Sequence, residues 1–160
     1  MFENEYLVNK KIIKEYVLNI LIKKLVITEI LLIICSIILY LLEGSMIMLS
    51  ISLVGLITLI LFPIITVNDL MENSKRLNNG KIEKTIITFK DNIVMNEGKV
   101  HLEFEYQQIE KVIETKNIYA LMISKQNAII VLKDSFTKGK ESDFITFINN
   151  KINNSKKVVD

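Results

Sequence analysis

Two apolar runs separated by three residues constrain this chain more than anything else in it. Leu25–Leu42 is broken only by Thr28, Glu29 and Ser36, and Met46–Val67 carries no charged residue. At 1.5 Å per residue the second run makes about 33 Å of helix, against a hydrocarbon core of about 30 Å, so it crosses a bilayer with a small tilt. The connection Glu43-Gly44-Ser45 is too short for anything but an antiparallel hairpin, and Gly44 has the backbone freedom that the reversal needs. A secretory signal is a poor match: the first run starts late, exceeds a signal's apolar core, lacks a small-residue cleavage site, and leaves the second run unexplained. The sequence therefore predicts a membrane α-helical hairpin over 25–67, with helices at 25–42 and 46–67. An amphipathic lead-in, 1–24, precedes it. A helical extension and linker, 68–80, a soluble α+β domain, 81–153, and a polar tail, 154–160, follow.

Charge placement predicts an orientation. Lys23 and Lys24 abut the first span, Lys75, Arg76 and Lys81 follow the second, and the turn between them holds no basic residue. By the positive-inside rule both termini face the cytoplasm and only the turn reaches the outer face of the cell (inner) membrane. Glu29 is the one ionisable group within the spans. Its insertion cost, about 2.5–3.5 kcal/mol by analogy with aspartate, is outweighed by about fifteen aliphatic neighbours at about −0.3 to −0.6 each. It lies near Lys24 and the interface, where a carboxylate finds water or a lysine, and it is also the chain's candidate for an intramembrane contact.

The remaining composition excludes several classes. Twenty basic and 18 acidic side chains give a net charge of +2, too balanced for a nucleic-acid binder. One cysteine, Cys35 in the first span, rules out an internal disulfide, and one histidine, His101, cannot build a Cys/His zinc site. No glycine-rich phosphate loop is present, and no Ser-His-Asp or Cys-His set can be assembled. The residues call for no catalytic group, no cofactor and no metal.

In the lead-in, residues 2–8 suit a short extended segment, and 9–24 suit a helix. Val8, Ile12, Ile13, Tyr16, Val17, Ile20 and Leu21 fall on one face, with Lys10, Lys11, Lys14, Glu15 and Asn19 largely on the other. Such a stripe is buried equally well in the headgroup region or against the soluble domain. After Lys81 the period becomes two. In Lys99–Tyr106, Val100, Leu102, Phe104 and Tyr106 alternate with Lys99, His101, Glu103 and Glu105, which predicts one buried and one wet face. Strand-like runs near 84–89, 92–95, 99–106, 109–114, 118–124 and 128–133, separated by turn residues, predict an antiparallel sheet curling into a small barrel or sandwich. From Gly139 the pattern turns helical, with Phe144, Phe147, Ile148 and Ile152 on one face, which can close the barrel's open end.

Six or seven antiparallel strands and a C-terminal helix look like the pleckstrin-homology (PH-like) class. Ile118–Gly139, then Phe144-x-x-Phe147, with Tyr106-x-x-Ile109 upstream, resembles the C-terminal domain of the YcxB-like family of bacterial membrane proteins. Lys133 and Phe136 match its Lys-x-x-Phe pattern, while Leu132 stands where proline is common. The resemblance implies a two-span anchor with a cytoplasmic PH-like domain whose first strand comes from residues 2–8. It implies no catalytic residues, and a structural role for Tyr106, Ile109, Lys133, Phe136, Phe144 and Phe147. The expected function is non-enzymatic: the domain binds a protein or peptide partner, or the membrane surface. Two alternatives are immunity against a membrane-active toxin or bacteriocin, and an accessory subunit of a transporter contacted through Glu29. The lipid bilayer and an unidentified protein are the expected partners.

Overall fold

The computed structural model describes residues 1–157, which divide into two compact units. One comprises Ile13–Leu70, the other Met1–Ile12 together with the chain from Met71 onward. Part of the predicted tail, 158–160, lies outside the described residues.

The first unit is a helical hairpin. Helix α1, Lys10–Tyr16, begins under the Asn9 side chain, whose Oδ1 accepts from the Lys11 and Ile12 amides at 3.0 and 3.1 Å. It passes into a π-helical turn, Val17–Leu21, and Ile22, at φ −105° and ψ 3°, breaks the helix. The lead-in is thus helical over 10–21, with its second part wound as a π-helix, and Lys23 and Lys24 belong to the next helix. Its apolar side chains Ile12, Ile13, Tyr16 and Val17 are buried.

Helix α2 spans Lys23–Glu43 and α3 spans Met46–Leu77. Between them Gly44 takes φ 68°, and its N–H closes on the Tyr40 carbonyl at 2.7 Å. Both helices are long and apolar enough to cross a membrane, and only 11 % of each apolar window is buried within the chain. A core helix of a soluble protein would be mostly covered. Every serine and threonine from Thr28 to Thr66, apart from Ser45 in the turn, has its hydroxyl within hydrogen-bond distance of a carbonyl one turn earlier in its own helix. That local bonding is what lets a hydroxyl sit in an apolar medium at small cost. Helix α3 continues through Pro63 and through the predicted linker to Leu77, where Asn79 (φ 55°) and Gly80 (φ 84°) stop it.

The second unit carries eight antiparallel strands: β1 Phe2–Leu7, β2 Lys84–Phe89, β3 Ile93–Glu97, β4 Val100–Phe104, β5 Lys111–Glu114, β6 Ile118–Met122, β7 Ala128–Leu132 and β8 Phe136–Lys138. They form two sheets, β4-β3-β2-β1-β8 and β5-β6-β7, and not the closed barrel expected from the sequence. Strand β1 pairs with β2 over six residues and, on its other side, with β8. The alternation in β4 does not produce a buried face, because β4 is an edge strand: Leu102 is 40 % exposed and only Val100 and Phe104 are partly covered. Tyr106, expected to end that strand, opens a 3-10 turn instead, Tyr106–Gln108. Helix α4, Glu141–Lys157, runs past the predicted end at 153. It buries Phe144, Ile148 and Ile152 against the sheets, with Glu141 and Asp143 in its first turn, where the helix dipole favours them.

Candidate functional site

The gap where a barrel would close is bridged by side chains. On β1 the phase Phe2, Asn4, Tyr6 points inward, and Asn4 is fully buried. Its Nδ2 donates to the Leu132 carbonyl at 2.7 Å, and its Oδ1 accepts from the Leu132 amide at 3.1 Å. The Tyr6 hydroxyl donates to the Ile130 carbonyl at 2.7 Å. The edge of β7 is therefore satisfied as a neighbouring strand would satisfy it, but by an amide and a phenol. Burial, with the Glu97 charge adding to it, pushes the Tyr6 phenol above its ordinary range.

The residues that carry the sequence motif come together as core. Phe144 is fully buried among Phe2, Phe89, Tyr119 and Phe136, with ring centroids at 5.6, 5.0, 5.5 and 5.0 Å. Phe147 lies 4.7 Å from Phe2 and meets Tyr106 edge-on at 6.4 Å. Such pairs add about 0.5–1.5 kcal/mol each beyond the area they bury. Tyr106 donates to the Lys90 carbonyl at 3.0 Å, and burial followed by the Asp91 charge pushes its phenol up to about 12. Ile109 is fully buried. Lys133 bonds Glu114 at 2.6 Å and lies over the Tyr119 ring at 4.8 Å, joining the end of β7 to β5. The Glu114 bond raises the Lys133 pKa. None of these six side chains presents a free functional group to an open cavity.

A polar knot lies at the end of α3. Glu97 accepts from Ser74 at 2.6 Å and Asn78 at 3.1 Å through Oε1, and from Thr85 at 3.3 Å through Oε2. Asn78, 4 % exposed, also accepts from the Lys99 amide at 3.3 Å. A shallow cleft of about 160 Å³ beside it is lined by Asn78, Asn79, Lys81, Glu83, Gly98 and Lys99. Of its lining side chains, Asn78 is engaged by Glu97 on β3 and by the Lys99 amide. His101 pairs with Asn96 across β3 and β4 at 2.6 Å.

Within the hairpin, Glu29 Oε1 accepts from the Thr58 hydroxyl at 3.1 Å. Ser36 and Ser52 share a buried hydrogen bond at 2.6 Å. Between these contacts sits Gly55, where an added Cβ would lie 2.8 Å from Ile33 Cγ1 and 3.0 Å from Glu29 Oε1. Glu29, Ile33 and Ser36 on α2 thus face Ser52, Gly55 and Thr58 on α3, a seam of small and hydroxyl-bearing residues. Sequence reasoning singled out Glu29 but not its partner, and missed Asn4, Tyr6 and Glu97. A buried-phase asparagine inside an alternating strand was the available signal for Asn4.

A family model, that of the YcxB-like proteins, matches residues 89–148. No curated protein matches the chain, and no solved structure does. The matched span runs from Phe89 in β2 through Ile148 in α4 and includes Tyr106, Ile109, Lys133, Phe136, Phe144 and Phe147. Over residues 89–148, the greater part of its sheet unit, the chain is similar to the YcxB-like proteins, and two long apolar helices lie ahead of that region.

Proposed function

We propose that this chain is a non-catalytic membrane anchor carrying a pleckstrin-like docking module, in which the hairpin spans the cell membrane and the sheet unit binds a protein or peptide partner on the cytoplasmic side. The observation that carries the reading is the exposure of the hairpin. Leu41, Leu42, Met46 and Ile47 around the turn are 74, 77, 72 and 68 % exposed, far more apolar surface than a soluble monomer leaves uncovered. Lipid is the simplest cover for two adjacent helices of spanning length. The lysines at one end of the hairpin and their absence from the turn support cytoplasmic termini.

The pleckstrin-like reading of the second unit is supported by its strand inventory and terminal helix, with the barrel opened along the β1–β7 line and bridged there by Asn4 and Tyr6. Five of the six motif side chains pack on the core of the sheet unit and Lys133 pairs with Glu114, which favours a binding module over an enzyme. Glu29 finds its partner inside the hairpin, so the contact that would motivate a transporter accessory role is supplied by the chain itself. Cross-linking in cells, followed by purification of the detergent-solubilised chain, tests the proposal. A specific partner recovered with the native chain, and lost from an Asn4→Ala/Tyr6→Phe variant that keeps the hairpin, supports it. Recovery of no specific partner under several conditions contradicts it.

A further inference from the structure

The fifteen residues ahead of the first apolar run carry a net positive charge. Lys10, Lys11, Lys14, Lys23 and Lys24 are five of the 20 basic side chains, while Glu15 is one of 18 acidic ones, leaving 15 against 17 elsewhere. All five lysines are exposed, and among the described residues none of them makes an ion pair. In the sheet unit Lys84, Lys133 and Lys138 each engage a glutamate. On helix α1 the apolar side chains Ile12, Ile13 and Tyr16 are buried, and its exposed side is the lysine side. Lys10, Lys11, Lys14 and Leu18 are spaced one, three and four residues apart, which puts them on one face. Leu18 is 38 % exposed, an apolar side chain among the cations.

Resting on the membrane reading above, we infer that this face binds the anionic headgroups of phospholipids, with Leu18 entering the acyl boundary beside the lysines. A basic cluster immediately next to a span sits where an anionic leaflet's field is strong, and each lysine there changes binding by about fivefold. Lysine suits the role because its ammonium is a compact charge on a flexible stem, able to follow laterally mobile phosphodiesters. The opposite end of the hairpin, Glu43-Gly44-Ser45, offers no cation, so the headgroup contact is confined to one leaflet.

Native mass spectrometry of the full chain in neutral detergent, titrated with phosphatidylglycerol or phosphatidylcholine, tests the inference. The native chain should retain phosphatidylglycerol with at least about tenfold higher apparent affinity, given about fivefold per lysine. K10Q/K11Q/K14Q should lose most of that preference. K116Q/K125Q/K140Q, which removes the same charge from exposed sites on the sheet unit, should keep it. Equal preference in the two triple variants, no preference in the native chain, or displacement of the lipid by excess inorganic phosphate would each overturn it. Sedimentation with carbonate-washed membranes reads the anchor separately: a chain that never sediments defeats the membrane reading, whereas one that sediments without lipid preference defeats only the lysine face.

Discussion

Asn4 occupies a strand position whose phase would ordinarily carry an apolar side chain, and it is buried with both ends of its amide engaged by Leu132. Truncation leaves a backbone N–H and a C=O without partners, each costing about 1–3 kcal/mol. Asn4→Ala should therefore destabilise the sheet unit by about 2–4 kcal/mol in denaturant titration, against about 1 kcal/mol for Tyr6→Phe, which strands a single carbonyl. Hydrogen exchange should show the Leu132 amide opening first; an unchanged Leu132 amide would contradict the bridge. The buried phenols predict a pH dependence. The Tyr106 pKa is raised to about 12, and Tyr6 is raised as well, mainly by burial. Their stabilising effect is fully present below the unfolded tyrosine pKa of about 10 and is lost as pH rises through the folded values. Stability should fall from about pH 10 upward, tracked by tyrosinate absorbance, and Tyr106→Phe should flatten that fall. Glu3 has the opposite sign, because Lys138 and Thr137 hold its carboxyl low: its contribution exists above the ordinary carboxylate pKa and is lost as pH falls through the lowered one. At this scale the sequence was a partial guide. The Phe144–Phe147 face was legible from helical spacing, but the rings meeting it, Phe2, Phe89 and Phe136, come from distant strands that no local pattern connects.

Elements follow the same division between local and long-range information. The two apolar helices are legible because lipid-spanning length and composition are local properties, and Gly44 closes the turn as its backbone freedom suggests. The barrel was not legible. Turn residues fix hairpins such as β2–β3 and β6–β7, yet closure depends on whether β1 pairs with β7, and β1 instead pairs with β2 and β8. Strand β8 was also missed, since three residues are too few to show alternation. The seam between α2 and α3 depends on close approach at Gly55, and a Leu there must displace Ile33 and Glu29. In a Cys35→Ala background, Ser36→Cys/Ser52→Cys should oxidise to an internal disulfide, because the native hydroxyls are 2.6 Å apart. Adding Gly55→Leu should reduce the yield several-fold on a non-reducing gel. An equal yield would mean the helices do not pack along this seam. At the end of α3, Glu97→Ala removes the acceptor of Ser74, Asn78 and Thr85 and should raise hydrogen exchange over residues 74–80 without altering the hairpin.

For the molecule as a whole, the central claim is that lipid covers the hairpin and that both ends of the chain lie on one side of it. Single cysteines introduced into a Cys35→Ala chain read this directly with a membrane-impermeant maleimide on intact spheroplasts. Ser45→Cys, in the turn between α2 and α3, should label from outside, and Ser142→Cys, exposed on α4, should label only after the membrane is opened. Labelling of Ser142→Cys from outside, or failure of Ser45→Cys to label until the cells are broken, would contradict the account.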